Sequence, residues 1–220
     1  MSTFLLIRHA EAESTNHTLN GRMPGVHLTE TGQMQAVRLA ERIRTMLVTA
    51  VYSSPLERAR DTAAAISKEL RLPVALRDGL AEVDCGDWSG QSFAELSDIP
   101  AWRWFNTFRS GTQIPGGEHI LKVQCRVIEE LNRIRHDHPE QTVAVVSHAD
   151  VLRPALGYYL GIPLDLLLRI EIAPASLSVV RMEPHGPTIV SVNDTSHLAE
   201  PATAQSAVEA TEEESHWLKR

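Results

Sequence analysis

The chain contains two short apolar runs, each followed directly by a histidine. Residues 3–7 lead into Arg8 and His9, and residues 142–146 lead into a serine and His148. Runs of this length are too short for helices and predict buried strands. Ligands of open α/β sheets bind at the carboxyl ends of the strands, so both histidines are expected at one binding edge. An arginine beside one of them favours a phosphoryl group as the ligand.

Apolar residues at helical spacing separate these strands from further short apolar runs. Helices are predicted over residues 29–47, 54–70, 118–135 and 150–161, and additional strands over 50–53, 73–76, 177–182 and 189–192. Thr29 is expected to cap the first helix, whose apolar face includes Leu47, and Pro55 to open the second. This alternation predicts an α/β fold, a three-layer α/β/α sandwich with a mostly parallel sheet.

The fold is expected to occupy residues 1–198 as a single domain. Residues 80–113 are less regular and are interpreted as a small inserted lid with a short helix at 100–108, in which Trp88, Trp102, Trp104 and Phe105 pack together. Residues 199–220 are rich in Ala, Thr, Ser and Glu, and this composition predicts a disordered acidic tail.

Composition narrows the classes of protein further. The 220 residues are 43% hydrophobic, which suits one sizeable core, and the net charge of −7 argues against nucleic-acid binding. No stretch is long and apolar enough to cross a membrane, so no membrane partner is expected. Two cysteines, Cys85 and Cys125, are too few for a disulfide framework and suggest a reduced, cytoplasmic protein.

Five blocks of sequence occur in a recognisable order. They are Arg8-His9-Ala10-Glu11, the segment Ser53-Ser54-Pro55-Leu56-Glu57-Arg58, Glu82 with Gly86-Asp87-Trp88-Ser89-Gly90, Pro115-Gly116-Gly117-Glu118, and Val146-Ser147-His148-Ala149. In this order they resemble the histidine phosphatase superfamily, also called the phosphoglycerate-mutase-like family. The resemblance extends from residue 3 to about residue 198.

The resemblance implies a catalytic role for five residues. Neutral His9 would attack the phosphorus atom and form a phosphohistidine, while Arg8 and Arg58 would bind the phosphoryl oxygens. His148 would stay protonated and stabilise the transition state, and Glu82 would protonate the leaving group. The positive side chains would supply the charge that a metal ion supplies elsewhere, so neither a metal nor another cofactor is expected.

Two of these assignments have competitors nearby. Arg60 lies in the same helix start as Arg58, and Asp84 lies two residues from Glu82. The family pattern favours Arg58, and the Gly-Asp-Trp block that follows favours Glu82.

Additional substrate contacts are expected from the resemblance. In the loop after the first block, Asn16 is the preferred phosphate contact and Ser14 its rival. Arg22 is a further candidate, although a surface arginine is an equal alternative, and Ala149 is a candidate beside His148. The family usually has Gly where this chain has Ala10, so an altered pocket is expected.

The sequence therefore predicts a metal-independent phosphomonoester hydrolase that acts on a small phosphorylated metabolite. A phosphomutase is one alternative, but residues 83–90 differ from the Glu-Arg-x-Tyr-Gly block by which the mutases grip a substrate carboxylate. A silent module that binds phosphorylated ligands is another. A metal hydrolase using the pairs His9/Glu11 and His148/Asp150 is a third, and it is disfavoured by the nearby arginines. A monomer and a homodimer remain equally open.

Overall fold

A computed structural model describes residues 1–13 and 17–199. Six strands and six helices form its framework: β1 (Ser2–Arg8), α1 (Glu30–Ile43), β2 (Val48–Ser53), α2 (Glu57–Leu70), β3 (Val74–Leu76), α3 (Phe93–Ser97), α4 (Pro100–Thr107), α5 (Ile120–Asp137), β4 (Thr142–Ser147), α6 (Ala149–Leu160), β5 (Leu177–Glu183) and β6 (Gly186–Asp194). The loop candidates Ser14 and Asn16, and the acidic tail beyond residue 199, lie outside the described residues.

The strands form one sheet in the order β3-β2-β4-β1-β5-β6. The first four strands are parallel to one another, whereas β5 runs antiparallel to β1 and β6 runs antiparallel to β5. The mostly parallel sheet predicted from the sequence is therefore confirmed. Because β4 lies between β1 and β2, the segments that follow these three strands meet at one edge.

Both faces of the sheet are covered by apolar packing. Along β1, Phe4 and Leu6 point into a core shared with α5 and α6, while Leu5 and Ile7 point into a core shared with α1 and α2. Successive side chains of a strand alternate between faces, so a strand buried on both faces is a continuous apolar run. This packing confirms the three-layer arrangement and explains the uninterrupted apolar character of residues 3–7.

Two predicted helix boundaries are wrong, although the elements themselves form. The Thr29 side chain caps α1 by accepting from the Gly32 amide, as expected, but α1 is followed by a tight turn in which Leu47 has φ of 52° and is 83% exposed. Leu47 is therefore not on the apolar face, because the chain reverses there to enter β2. Helix α2 starts at Glu57 rather than Pro55, because Ser54 remains tied to the sheet through the Val146 carbonyl.

The lid contains α3 and α4, packed over the site edge of the sheet. Trp88, Trp102 and Phe105 form an aromatic cluster with ring centroids 5.4–6.1 Å apart. Trp104 does not join it and is 63% exposed. Residues three apart on a helix share a face, so α4 can turn Trp102 and Phe105 inward only by turning Trp104 outward. Of the helices in residues 1–13 and 17–199, none is long and apolar enough to cross a membrane.

Candidate active site

Three neighbouring strands deliver the two histidines and a serine to the same edge. His9 follows β1 and its amide donates to the Ser147 carbonyl of β4 at 2.9 Å, so the first segment is fixed to the second. His148 follows β4, and its Nε2 lies 2.7 Å from the Oγ of Ser54, which follows β2. The ring centroids of His9 and His148 are 5.1 Å apart. The predicted convergence of the two imidazoles is therefore present.

The environment of His9 leaves one ring nitrogen available as a nucleophile. Its Nδ1 lies 2.7 Å from the Ala10 carbonyl, which can only accept, so Nδ1 carries the proton and Nε2 carries the lone pair. The Nε of Arg58 donates to that Nε2 at 3.3 Å. Burial, followed by the charges of Arg58 and Arg8, lowers the pKa of His9 well below its ordinary value. His9 is therefore neutral across the physiological pH range.

Buried Arg58 and half-buried Arg8 lie near His9, and each has a hydrogen-bond donor without a partner among the described residues. Arg58 donates through Nη2 to the Gly21 carbonyl at 2.8 Å, and Arg8 donates through Nη1 to the Ile172 carbonyl at 2.5 Å. The buried Nη1 of Arg58 and the buried Nε of Arg8 have no hydrogen-bond partner within the described parts of the chain. A buried donor left unpaired is costly, so these groups are suited to receive anionic oxygens.

Glu82 and His148 are the remaining two of the five residues to which the resemblance assigns a catalytic role. The Glu82 Oε2 lies 3.6 Å from His148 Nδ1 and 3.8 Å from Arg58 Nη2. Burial raises the pKa of Glu82 despite the opposing charge of Arg58, which favours a protonated carboxyl. For His148, burial and then the charge of Arg58 lower the pKa well below its ordinary value. A lowered pKa favours the neutral form of His148 in the free protein, whereas the protonated form expected from the sequence concerns the state with a phosphoryl group bound.

The main chain of Glu82 is held by a cluster of charged residues. Arg22 and Arg126 donate to the Glu82 carbonyl at 2.7 and 3.1 Å, and both also donate to the carboxylate of Glu118. Glu118 further accepts from the amide of Asp84 at 2.9 Å. Arg22, a candidate substrate contact in the sequence, is thus engaged by the protein itself and does not line the cavity beside His9.

A cavity of about 280 Å³ opens beside His9, and residues of the lid form part of its wall. Ala149, the first residue of α6, lines it together with the catalytic candidates Arg8, Arg58 and Glu82. Arg60 and Asp84, the competitors considered from the sequence, do not line it.

Ala10 is buried in the core beneath α1 and α2, and it is not among the residues that line the cavity. The altered pocket expected from its methyl group is therefore not seen. The Ala10 amide donates to Thr62 Oγ1, whose hydroxyl in turn donates to the Arg58 carbonyl.

The cavity is also lined by charged residues that the sequence did not single out as a group. Asp150 Oδ1 lies 2.8 Å from Arg153 Nη1 and 3.3 Å from Arg109 Nη1. Burial raises the pKa of Asp150, but the attraction of Arg109 and Arg153 outweighs it and lowers that pKa to about 2. Arg109 belongs to no motif and reaches the cavity through the lid, so sequence spacing carried no signal for it.

The metal-hydrolase alternative would need ligands grouped around the histidines. Glu11, one of the proposed ligands, accepts a hydrogen bond from Thr29 Oγ1 at 2.8 Å and does not line the cavity. Within residues 1–13 and 17–199, no three His, Cys, Asp or Glu side chains are grouped so that they could hold a metal ion.

The site has an unprotonated imidazole nitrogen near two arginines with unpaired buried donors, together with a second imidazole and a carboxyl whose pKa is raised. This combination defines a phosphoryl-transfer site. Comparison with known proteins gives the family. The model of the histidine phosphatase superfamily (branch 1) matches residues 4–195, and the chain belongs to that superfamily.

Several of the similar proteins are phosphoserine phosphatases. Phosphoserine phosphatase 1 of Hydrogenobacter thermophilus is 34% identical over 91% of this chain and 96% of its own length. The metal-independent phosphoserine phosphatase of Arabidopsis thaliana is 32% identical over 90% of this chain and 84% of its own. The crystal structure of a phosphoserine phosphatase variant from Entamoeba histolytica with phosphoserine is 25% identical, with a TM-score of 0.82 over 90% of this chain and 100% of that one. The chain is thus a phosphatase-type hydrolase of a superfamily that typically works through phosphohistidine.

Proposed function

We propose that His9 is the residue phosphorylated during hydrolysis and that the substrate is a small phosphorylated metabolite. The observation that carries this proposal is the His9 Nε2 lone pair, fixed by the Nδ1 hydrogen bond and set beside the unpaired donors of Arg8 and Arg58. Before attack, Nε2 has to release only the 3.3 Å hydrogen bond that it accepts from Arg58 Nε, so the site is largely organised in advance, as efficient electrostatic catalysis requires.

In the first step His9 Nε2 attacks phosphorus and the bond to the leaving oxygen breaks. Arg8 and Arg58 neutralise the phosphoryl oxygens, and the amide of Ala149 at the start of α6 adds a donor and the positive end of the helix dipole. The bound dianion also favours a proton on His148 by placing opposite charge beside its ring. The protonated form expected from the sequence is therefore assigned to the complex.

Glu82 supplies the proton that the leaving alkoxide needs. A carboxyl with a raised pKa can hold a proton near neutral pH and is a suitable general acid. In the second step, ionised Glu82 takes a proton from a water molecule, whose oxygen attacks the phosphohistidine. The N–P bond breaks, inorganic phosphate leaves, and His9 returns to its neutral form with Glu82 protonated again.

O-Phosphoserine is the first substrate to test, since the similar phosphatases are named for it. Asn16 stays a proposed phosphate contact, whereas Arg22 is better assigned to holding Glu82 in place. The absence of a mutase-type block in residues 83–90 favours hydrolysis over transfer back to the substrate.

The test is turnover of p-nitrophenyl phosphate and O-phosphoserine in the presence of a chelator, with acid-quench detection of phosphohistidine. We expect the wild type to release phosphate and to be labelled, and His9→Ala to do neither. Loss of wild-type activity with the chelator, or labelling of His9→Ala, would overturn the proposal. Conversion of 3-phosphoglycerate to its isomer without phosphate release would instead identify a mutase.

A further inference from the structure

The cavity beside His9 carries more positive charge than a phosphate requires. Four arginines line the cavity in the described parts of the chain, namely Arg8, Arg58, Arg109 and Arg153. When Glu82 is protonated for its role as an acid, Asp150 is the one remaining carboxylate among these lining residues. Three net positive charges then face the ligand, and a phosphate dianion neutralises two of them.

The surplus charge is located at Arg109 rather than at Arg153. Two donors of the Arg153 guanidinium make short hydrogen bonds, because its Nε donates to the Ile170 carbonyl at 2.9 Å and its Nη1 donates to Asp150 at 2.8 Å. Arg109 makes two longer contacts, 3.3 Å to Asp150 and 3.2 Å to Asn106. Its Nε has no hydrogen-bond partner within the described residues, although the residue is only 3% exposed.

Arg109 is also held in a fixed orientation. Its guanidinium carbon lies 4.7 Å from the centre of the Phe105 ring, and Asp150 anchors one edge from the first turn of α6. Asp150 is two residues from His148, and its charge and that of Arg153 both act on Arg8. The Arg109 region therefore adjoins the phosphate-binding arginines in the same cavity. A planar guanidinium with free donors matches the two oxygens of a carboxylate.

We propose that Arg109 binds a carboxylate of the substrate, so that the enzyme selects phosphomonoesters that also carry a carboxyl group. This inference rests on the proposed function, because it assigns the second end of the same substrate. The lid then contributes to substrate recognition, because Arg109 follows α4 and contacts the carboxylate from the lid. Asp150 then serves to position Arg109, and Arg153 keeps Asp150 ionised.

O-Phosphoserine and O-phosphoethanolamine test this directly, because they differ only in the carboxylate. We expect the wild type to show a kcat/KM for O-phosphoserine roughly 10- to 100-fold above that for O-phosphoethanolamine, the range for a hydrogen bond to a charged group. Arg109→Gln should reduce this ratio to below about threefold by lowering only the value for O-phosphoserine. Arg109→Lys keeps the positive charge but loses the paired N–H donors of the guanidinium, so it should retain part of the preference.

Arg103→Gln is the matched control, because it removes an exposed arginine of the same lid that does not line the cavity. It should leave the ratio unchanged. An equal loss for both substrates in Arg109→Gln, or a wild type that does not distinguish them, would overturn the proposal.

Binding of both compounds to His9→Ala, measured by calorimetry, keeps the two proposals separate. If the wild type proves inactive but His9→Ala still prefers O-phosphoserine in an Arg109-dependent way, the hydrolase proposal fails and the carboxylate subsite stands. If turnover occurs without any Arg109-dependent preference in rate or binding, the subsite fails and the hydrolase proposal stands.

Discussion

Glu118 offers a test of how Glu82 is held in place for proton transfer. Its carboxylate accepts from Arg22 at 2.8 Å, from Arg126 at 3.0 and 3.1 Å, and from the Asp84 amide at 2.9 Å. Glu118 does not line the cavity, so its substitution changes no substrate contact. In Glu118→Gln the side chain keeps its size, but it loses its charge and turns one acceptor into a donor.

The expected size of the effect follows from these contacts. Oε2 accepts three of the four hydrogen bonds and Oε1 accepts one, so a Gln that keeps its oxygen at the Oε2 position loses one bond and turns an amide donor toward Arg126 Nε. The three remaining bonds lose the charge of the carboxylate, and partial exposure limits the cost in unfolding free energy to about 2–3 kcal/mol. With Arg126 bound less tightly, the Glu82 carbonyl is held less firmly. General acid catalysis contributes roughly 10²- to 10⁴-fold, and partial misplacement of the acid should lower kcat about tenfold.

The assay compares two substrates that differ in their need for an acid. The leaving group of O-phosphoserine is an alkoxide that must be protonated. The leaving group of p-nitrophenyl phosphate, p-nitrophenolate, is stable as an anion. We expect Glu118→Gln to lower kcat about tenfold for O-phosphoserine and less than about threefold for p-nitrophenyl phosphate, following a larger effect of Glu82→Gln in the same direction. Glu129→Gln, an exposed position on α5, is the control. Equal losses on both substrates would refute the reasoning.

Three further outcomes are expected. In the wild type, kcat/KM for O-phosphoserine should fall as pH rises through the raised pKa of Glu82, because the general acid must be protonated. Glu82→Gln should abolish this fall, and a pH profile of the variant that keeps the fall would contradict the assignment. Asp150→Asn should cost about 2 kcal/mol of unfolding free energy at pH 7, because the folded-state pKa of about 2 lies below the ordinary 3.8. That cost should be fully present above pH 3.8 and disappear as pH falls through about 2, which urea unfolding at several pH values would reveal. Thr62→Val should cost about 1–3 kcal/mol by leaving the buried Ala10 amide unpaired, and Thr62→Ser should recover most of it; equal stability of the two variants in urea would argue against that bond.

The sequence by itself determined the sheet and the location of the site on it. Short apolar runs can be buried on both faces only as central strands, and helical spacing between them leaves an alternating α/β fold as the simple solution. His9 and His148 directly follow two such strands, so their meeting at one edge could be predicted. Arg58 and Glu82 required the family resemblance, because their spacing alone does not distinguish them from Arg60 and Asp84.

Only the tertiary structure decided how the charges around these residues are shared. Arg22 and Glu118 lie far apart in the sequence, yet together they hold the Glu82 main chain. Arg109 reaches the cavity from the lid and meets Asp150 of α6 there. Burial, which sequence spacing does not report, lowers the pKa of His9 and of His148 and so favours their neutral forms. Long-range ion pairs and desolvation depend on how the lid packs over the sheet, and no local pattern of residues encodes that packing.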